Sequence, residues 1–433
     1  MKREGESKLV RFLDRHEIHP SVLIVQGARQ VGKTYLVVEA LQSRDRVVSI
    51  NLEKDPALKL DIDRTSNFQE FTDLLRQRSG FRPGENQVLF IDEAQESERL
   101  GTYVRQMKED WSWSKTILSG SSMNRLFSLD TRIPVGRIEY LQVFPFSFSE
   151  FLRFQNQDYL LHEASRSFEV SDTLHSNLVK LYDGYLHFGG MPEVVKALTQ
   201  QGEPDKILSF LIASQRDDFL RKEKLQSHLF MDAVKGIANH VGSTSKFSHV
   251  TPKITDGKKV IQLLLDWFIA LEVEVKGSSP TQRFWPKRYL YDSGILRFVR
   301  DTAIPRISVI ETLDEVLRTP LGGLVENSVL IDLLSVGGGG YTPISSWKKN
   351  NKEPVEVDFI AKTGDKTVPI EVKASLRIHQ RHAKNLVAYC ERFKIKHGLL
   401  VSFDKPSRMK FGPICEVENV PAYKITNYFA PSN

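Results

Sequence analysis

Gly27-Ala28-Arg29-Gln30-Val31-Gly32-Lys33-Thr34 has the spacing G-x-x-x-x-G-K-T. Glycines at both ends let the backbone N–H groups of Ala28, Arg29, Gln30 and Val31 curl around an anion. Lys33 would reach the β and γ phosphates of a nucleotide, and the Thr34 hydroxyl would bind Mg²⁺. Downstream, the apolar run Val88-Leu89-Phe90-Ile91 ends in Asp92-Glu93. Asp92 would hold Mg²⁺ through water, and Glu93 would orient or deprotonate an attacking water. These residues imply a site that binds ATP with Mg²⁺ and hydrolyses it to ADP.

A second constellation lies far along the chain. Glu356 and Asp358 share one face of an alternating segment, and Glu371 and Lys373 share one face of the next. Pairing the two through Thr363-Gly364-Asp365-Lys366 brings Asp358 beside Glu371, with Lys373 alongside. Two carboxylates so placed suit a hard cation, and a lysine there can activate water. Glu326 falls on the apolar face of a helical pattern, where a carboxylate is costly unless paired or bound to metal. It is a third candidate metal ligand.

Both sites need elements to position them. Val22-Leu23-Ile24-Val25 reads as a strand leading into the glycine-rich loop, and Tyr35 to Leu41 as the helix leaving it, whose N-terminus adds a positive dipole end. Val47 to Asn51, Val88 to Ile91, Thr116 to Ser119 and Ile138 to Val143 read as further buried strands. Phe68 to Arg78 and Leu100 to Trp111 read as helices between them. Ser121 or Ser122, after a strand, could sense the γ phosphate or merely form a turn. Arg137 is a candidate arginine finger, in cis or from a neighbouring subunit, with Arg125 and Arg132 as rivals.

From Asp158 to His240 the pattern is helical. Arg216, Asp217, Asp218 and Arg221 read as a solvated, salt-bridged helix face. Lys258 to Leu271 predicts an amphipathic helix, followed by a two-stranded wing through Glu272–Lys276 and Arg288–Tyr291. That order suggests a winged helix, with Lys246, Lys253, Lys258, Lys259, Lys287 and Arg288 as candidate DNA contacts. Arg377, Arg381, Lys384, Arg392, Lys394, Lys396, Lys405, Arg408 and Lys410 form a second basic stretch that would suit a phosphate backbone. Gly337-Gly338-Gly339-Gly340 reads as a turn, since no Lys-Ser or Lys-Thr follows it.

The chain has 433 residues, too many for one typical core. It is 40% hydrophobic and 26% charged, an ordinary soluble composition. No apolar run reaches bilayer length, and the charged N-terminal stretch lacks the apolar core of a secretory signal. Only two cysteines occur, Cys390 and Cys415, which excludes a disulfide scaffold and favours a cytoplasmic setting. The net charge of +6 leans mildly towards a polyanionic partner.

Taken in order, Gly27–Thr34, Phe90-Ile91-Asp92-Glu93-Ala94-Gln95, Ser119-Gly120-Ser121-Ser122, Gly136-Arg137 and Pro145-Phe146-Ser147-Phe148-Ser149-Glu150-Phe151 resemble one group. It is the prokaryotic AAA-type ATPases of the AAA+ superfamily, archaeal-ATPase-like, with a C-terminal DUF4143-type domain. Tyr289-Leu290-Tyr291-Asp292-Ser293-Gly294 also resembles that group's pattern. Asp358, Glu371 and Lys373, with Glu326, resemble a restriction-endonuclease-like core of the Asp…Glu-x-Lys type.

The resemblance implies an α/β multidomain protein. It would comprise a P-loop AAA-type parallel sheet over 1–155, a helical and winged-helix region over 156–304, and a nuclease-like α/β domain over 305–433. It also implies a homo-oligomer, because AAA-type sites form between subunits. Three functions stay open: a DNA-processing ATPase or nuclease, an ATP-gated signalling switch that assembles, and a DNA-binding regulator with an inactive nuclease-like domain. No membrane partner is expected.

Overall fold

The computed structural model describes residues 2–127, 136–251, 253–336, 343–350, 353, 355–363, 366–412 and 415–429. Arg132, Gly337–Gly340 and the Gly364-Asp365 tip of the expected turn lie outside them. Five strands, β1 (Val22–Gln26), β2 (Val47–Asn51), β3 (Val88–Asp92), β4 (Lys115–Gly120) and β5 (Ile138–Gln142), form one parallel sheet in the order β2-β3-β4-β1-β5. Helices cover both faces, which is why β1 and β3 are buried at every position and read as unbroken apolar runs. With β4 inserted between β1 and β3, the loop after β1 and the acids ending β3 sit two strand spacings apart, about 10 Å. This is the architecture of a P-loop nucleotide-binding domain.

The second sheet is mixed and has eight strands: β6 (Ala270–Lys276), β7 (Lys287–Leu290), β8 (Ile344–Lys348), β9 (Glu356–Thr363), β10 (Lys366–Val372), β11 (His397–Ser402), β12 (Ser407–Phe411) and β13 (Cys415–Pro421). Their order is β12-β13-β11-β10-β9-β8-β6-β7. The β6–β7 hairpin does follow a helix, Ile254–Asp266, as a wing would. It does not project freely, because β6 pairs in parallel with β8, Glu274 opposite Ser345. The expected division at 304/305 therefore runs through a single sheet. The preceding helix, expected over 258–271, is instead displaced towards the N-terminus, Ile254–Asp266. Phe268 turns left-handed at φ +56, and the chain is already in β6 at Ala270.

One apolar core joins the pieces. It runs from Leu9 and Val25 through Tyr182, Leu211 and Ile261 to Leu324, Ile370 and Tyr423. The helix Glu315–Val336 is its spine, buried on nearly every side from Pro320 onwards. That placement forces its polar residues to find partners inside. Asn327 Oδ1 accepts from the Leu290 N–H at 2.9 Å, and Asp332 Oδ1 accepts from the Phe148 N–H at 3.1 Å.

Candidate functional site

The loop leaves β1 at Gln26 and enters the helix Lys33–Leu41. Gly27 has φ +153, and a Cβ there would lie 2.1 Å from the Val143 carbonyl oxygen, so no side chain fits. Gly32 is left-handed, φ +93, at the helix N-cap. Lys33 is buried and donates to the Gly27 and Ala28 carbonyls at 3.1 and 2.9 Å. Burial lowers its pKa to about 8, against the opposing charges of Glu93 and Asp92. A bound phosphate would compete with those carbonyls for the ammonium.

Asp92 is the hub of the site. Thr34 Oγ1 and Asn51 Nδ2 both donate to its Oδ2 at 2.9 Å, and Ser119 Oγ donates to Oδ1. The Thr34 hydroxyl and the Asp92 carboxylate thus converge, two hard oxygen donors of the kind Mg²⁺ takes. Glu93 follows in a left-handed conformation, φ +52, uncommon for a non-glycine residue. Its carboxylate accepts from Gln95 Nε2 at 2.5 Å. Ser121 is buried just beyond β4 at the same sheet edge.

Sequence reasoning passed over Asn51, Ser119 and Arg3. Asn51 reads only as the end of a strand, and Ser119 only as part of a strand and a motif, with no role given to either. Arg3 lies in the charged N-terminal stretch, yet it is 5% exposed. Its Nη1 donates to the Val31 carbonyl at 3.0 Å, its Nη2 to the Phe144 carbonyl at 2.8 Å, and its Nε to Glu150 at 2.6 Å. Arg3 thereby ties the loop backbone to the Pro145–Phe151 motif. Only the glutamate of that motif hinted at a buried cation.

Two further expectations need correction. The face carrying Asp218 is not simply solvated. Asp218, on the helix Pro204–Glu223, pairs with Arg29 of the loop, and Lys222 pairs with Glu96 at 2.5 Å. Arg137 sits at the wrong end of the sheet to be a finger in cis. Its carbonyl accepts from Val22 N–H at the start of β1, and its guanidinium pairs with Glu109 at 2.7 Å. Arg125 ends a short 3-10 turn after β4, exposed and on the loop side.

In the second sheet the register that pairs Phe359 with Ile370 sets Asp358 against Glu371. The Val372 N–H donates to Asp358 Oδ2 at 2.8 Å, and Lys373 Nζ lies 2.6 Å from Glu371. Glu326 joins them from the spine helix. The residues expected to converge lie together, but the sequence missed what sits among them. Lys287 of β7, expected to face DNA, is wholly buried. Its ammonium lies 3.0 Å from Glu326, 3.2 Å from Asp358 and 2.6 Å from Glu356. Tyr289 Oη donates to Glu326 at 2.6 Å. Burial works against the lysine's charge, and the surrounding negative groups, Glu326 foremost, override it and raise its pKa. Burial also raises Glu326 to about 7 and Glu371 to about 8.

Among the described residues, no three acidic, histidine or cysteine side chains are arranged to hold a metal ion. Of the expected Glu326–Asp358–Glu371 metal ligands, Glu326 and Asp358 close on the internal Lys287 ammonium in this conformation, and Glu371 pairs with Lys373.

The remaining candidate DNA contacts divide. Lys246, Lys253, Lys258 and Lys259 are exposed, whereas Arg288 is buried against Glu272 and the Ser245 carbonyl. In the C-terminal basic stretch, Arg377, Lys405 and Arg408 pair with Glu311, Asp172 and Glu418. No helix among the described residues is long and apolar enough to cross a membrane.

Comparison with known proteins gives three family matches. Residues 19–152 match an AAA domain, 179–303 a domain of unknown function (DUF8612), and 321–417 another domain of unknown function (DUF4143). An uncharacterized protein of Haemophilus influenzae is 24% identical over 411 residues, covering 89% of this chain and 90% of that protein. An uncharacterized protein of Methanocaldococcus jannaschii is 26% identical over 176 residues, 40% of this chain and 36% of its own. Among solved structures, a Walker-type ATPase of Pyrococcus abyssi aligns with a TM-score of 0.43 at 15% identity, over 68% of this chain and 94% of that one. The Aeropyrum pernix ORC1 protein in complex with DNA aligns with a TM-score of 0.27 at 11% identity, over 68% and 91%. The loop, the acids ending β3, the strand order and the family matches lead to one conclusion: the chain carries an AAA-type P-loop domain and a C-terminal DUF4143 domain.

Proposed function

We propose that this protein hydrolyses ATP with Mg²⁺ at the Gly27–Thr34 loop, and that the nucleotide state is passed to the C-terminal sheet. The observation that carries the hydrolysis reading is the meeting of Thr34 Oγ1 and Asp92 Oδ2 at 2.9 Å, with Glu93 next in the chain. Thr34 and Asp92 would hold Mg²⁺, which when bound would supply positive charge to the phosphate oxygens. Lys33 binds the β and γ phosphates, and Glu93 takes the proton of the attacking water as its oxygen bonds to the γ phosphorus. The bond from that phosphorus to the bridging oxygen breaks, and ADP and phosphate leave.

Coupling is supported by a chain of contacts. Arg29 of the loop meets Asp218; one turn away on the same helix, Gln215 donates to Tyr291 Oη at 2.6 Å; Tyr291 follows β7, whose Lys287 and Tyr289 enter the acid cluster. DNA is the partner best suited to the exposed lysines 246, 253, 258 and 259. Assembly into a homo-oligomer would let Arg137 or Arg125 serve a neighbouring subunit's site. A second reading, an ATP-gated switch whose nuclease-like domain does not cleave, is favoured over cleavage by Lys287 filling the acid cluster.

The deciding experiment is an ATPase assay with and without DNA, in Mg²⁺ or Mn²⁺, with a cleavage readout. Glu93→Gln should keep nucleotide binding and lose turnover by about 10²-fold or more. Normal turnover in that variant would overturn the hydrolysis reading. Metal-dependent nicking that disappears in Asp358→Ala would overturn the non-cleaving one.

A further inference from the structure

Gln95 stands two residues beyond the acid that activates water, on the short turn Ala94–Glu96, and is buried. Its two ends do different things. Nε2 donates to Glu93 Oε2 at 2.5 Å. A carboxylate only accepts, so the amide nitrogen must be the end that faces it. Oε1 is buried and has no hydrogen-bond partner. A buried acceptor left unmade is costly, and in native proteins it commonly waits for a water or ligand. This acceptor also has a fixed address: a Cβ on Gly120 would lie 1.8 Å from it. Gly120 ends β4, at the same sheet edge as the glycine-rich loop and Asp92. The left-handed turn at Glu93 is what lets the chain double back so that the two side chains meet.

We propose that Gln95 is a positioning residue for hydrolysis: its amide N–H fixes one oxygen of Glu93, which leaves the other for the attacking water, and its carbonyl oxygen gives that water a second acceptor. A water held by two acceptors has both hydrogens engaged and presents a lone pair towards the γ phosphorus. Gly120 is part of the same device, because only a residue without a side chain leaves room for the carboxamide. The inference rests on Glu93 being the base.

Steady-state ATPase kinetics test it. Glu93→Gln is measured first; if it turns over normally, the parent reading fails whatever Gln95 does. With Glu93→Gln inactive, Gln95→Ala should lower kcat about 10- to 100-fold and leave KM for ATP within about twofold. Gly120→Ala keeps Gln95 in the chain but displaces its carboxamide, so it should reproduce the defect. The double variant should then be no worse than either single one. A kcat within twofold of the parent, a change in KM alone or additive losses would each overturn the proposal.

Discussion

Lys287 and Glu326 are joined at 3.0 Å in an interior that excludes solvent from the ammonium altogether. One belongs to an edge hairpin and the other to the spine helix, so the ion pair joins two elements that the Tyr289–Glu326 and Leu290–Asn327 hydrogen bonds also link. Breaking a buried pair leaves an uncompensated charge, which costs about 3–5 kcal/mol. Lys287→Met should lower the urea midpoint accordingly. Adding Glu326→Gln should recover part of the loss, because it removes one of the acidic groups left without the ammonium.

Lys33 must be protonated to attract phosphate. Its pKa in the free protein is lowered to about 8 by burial, and the folded loop therefore holds less ammonium as pH rises through 8. Nucleotide affinity should weaken between pH 7.5 and 9, about tenfold for each pH unit once the ammonium is the minor form. Titration of a fluorescent ATP analogue at several pH values checks this. Lys33→Ala should bind poorly at every pH and show no such slope.

Arg29 and Asp218 connect the loop to the helix Pro204–Glu223. If that pair reports nucleotide state, ATP should change amide hydrogen exchange in residues 204–223 of the parent protein. Asp218→Asn should mute the change and still bind ATP. An unaltered exchange response in the variant would remove this contact from the coupling scheme.

Asp332 is buried, and its pKa is raised to about 8 mainly by desolvation. The unfolded chain loses this proton near pH 4, whereas the folded one keeps it until about 8. The folded state binds the extra proton between those values, so this group's contribution to stability falls as pH rises from 4 to 8 and is gone above. Asn can still accept from Phe148 N–H and carries no charge. Asp332→Asn should match the parent's Tm near pH 4 and exceed it at pH 8.5.

What the sequence disclosed follows from how local each device is. The glycine-rich loop and the acids ending β3 are short, contiguous patterns whose chemistry dictates their spacing. The hairpin placing Asp358 against Glu371 was legible because strand alternation and one turn fix its register. Lys287 was not, because its burial depends on β6 pairing with β8 across many intervening residues. A lysine beside an arginine otherwise reads as surface. Arg3 escaped for the same reason, since its partners Val31, Phe144 and Glu150 are distant in sequence. Phe268 ends its helix in a left-handed turn without the glycine that usually announces one.

The shared sheet limits how this protein can be taken apart. A fragment starting at residue 305 would carry β8 with its β6-facing hydrogen bonds unpaired, an open edge prone to aggregation. It would also strand Glu326 without Lys287 and Tyr289. The matched segments 179–303 and 321–417 look like separate beads along the chain, yet neither completes its own fold. Any recombination that exchanged one between relatives would have to carry the other with it.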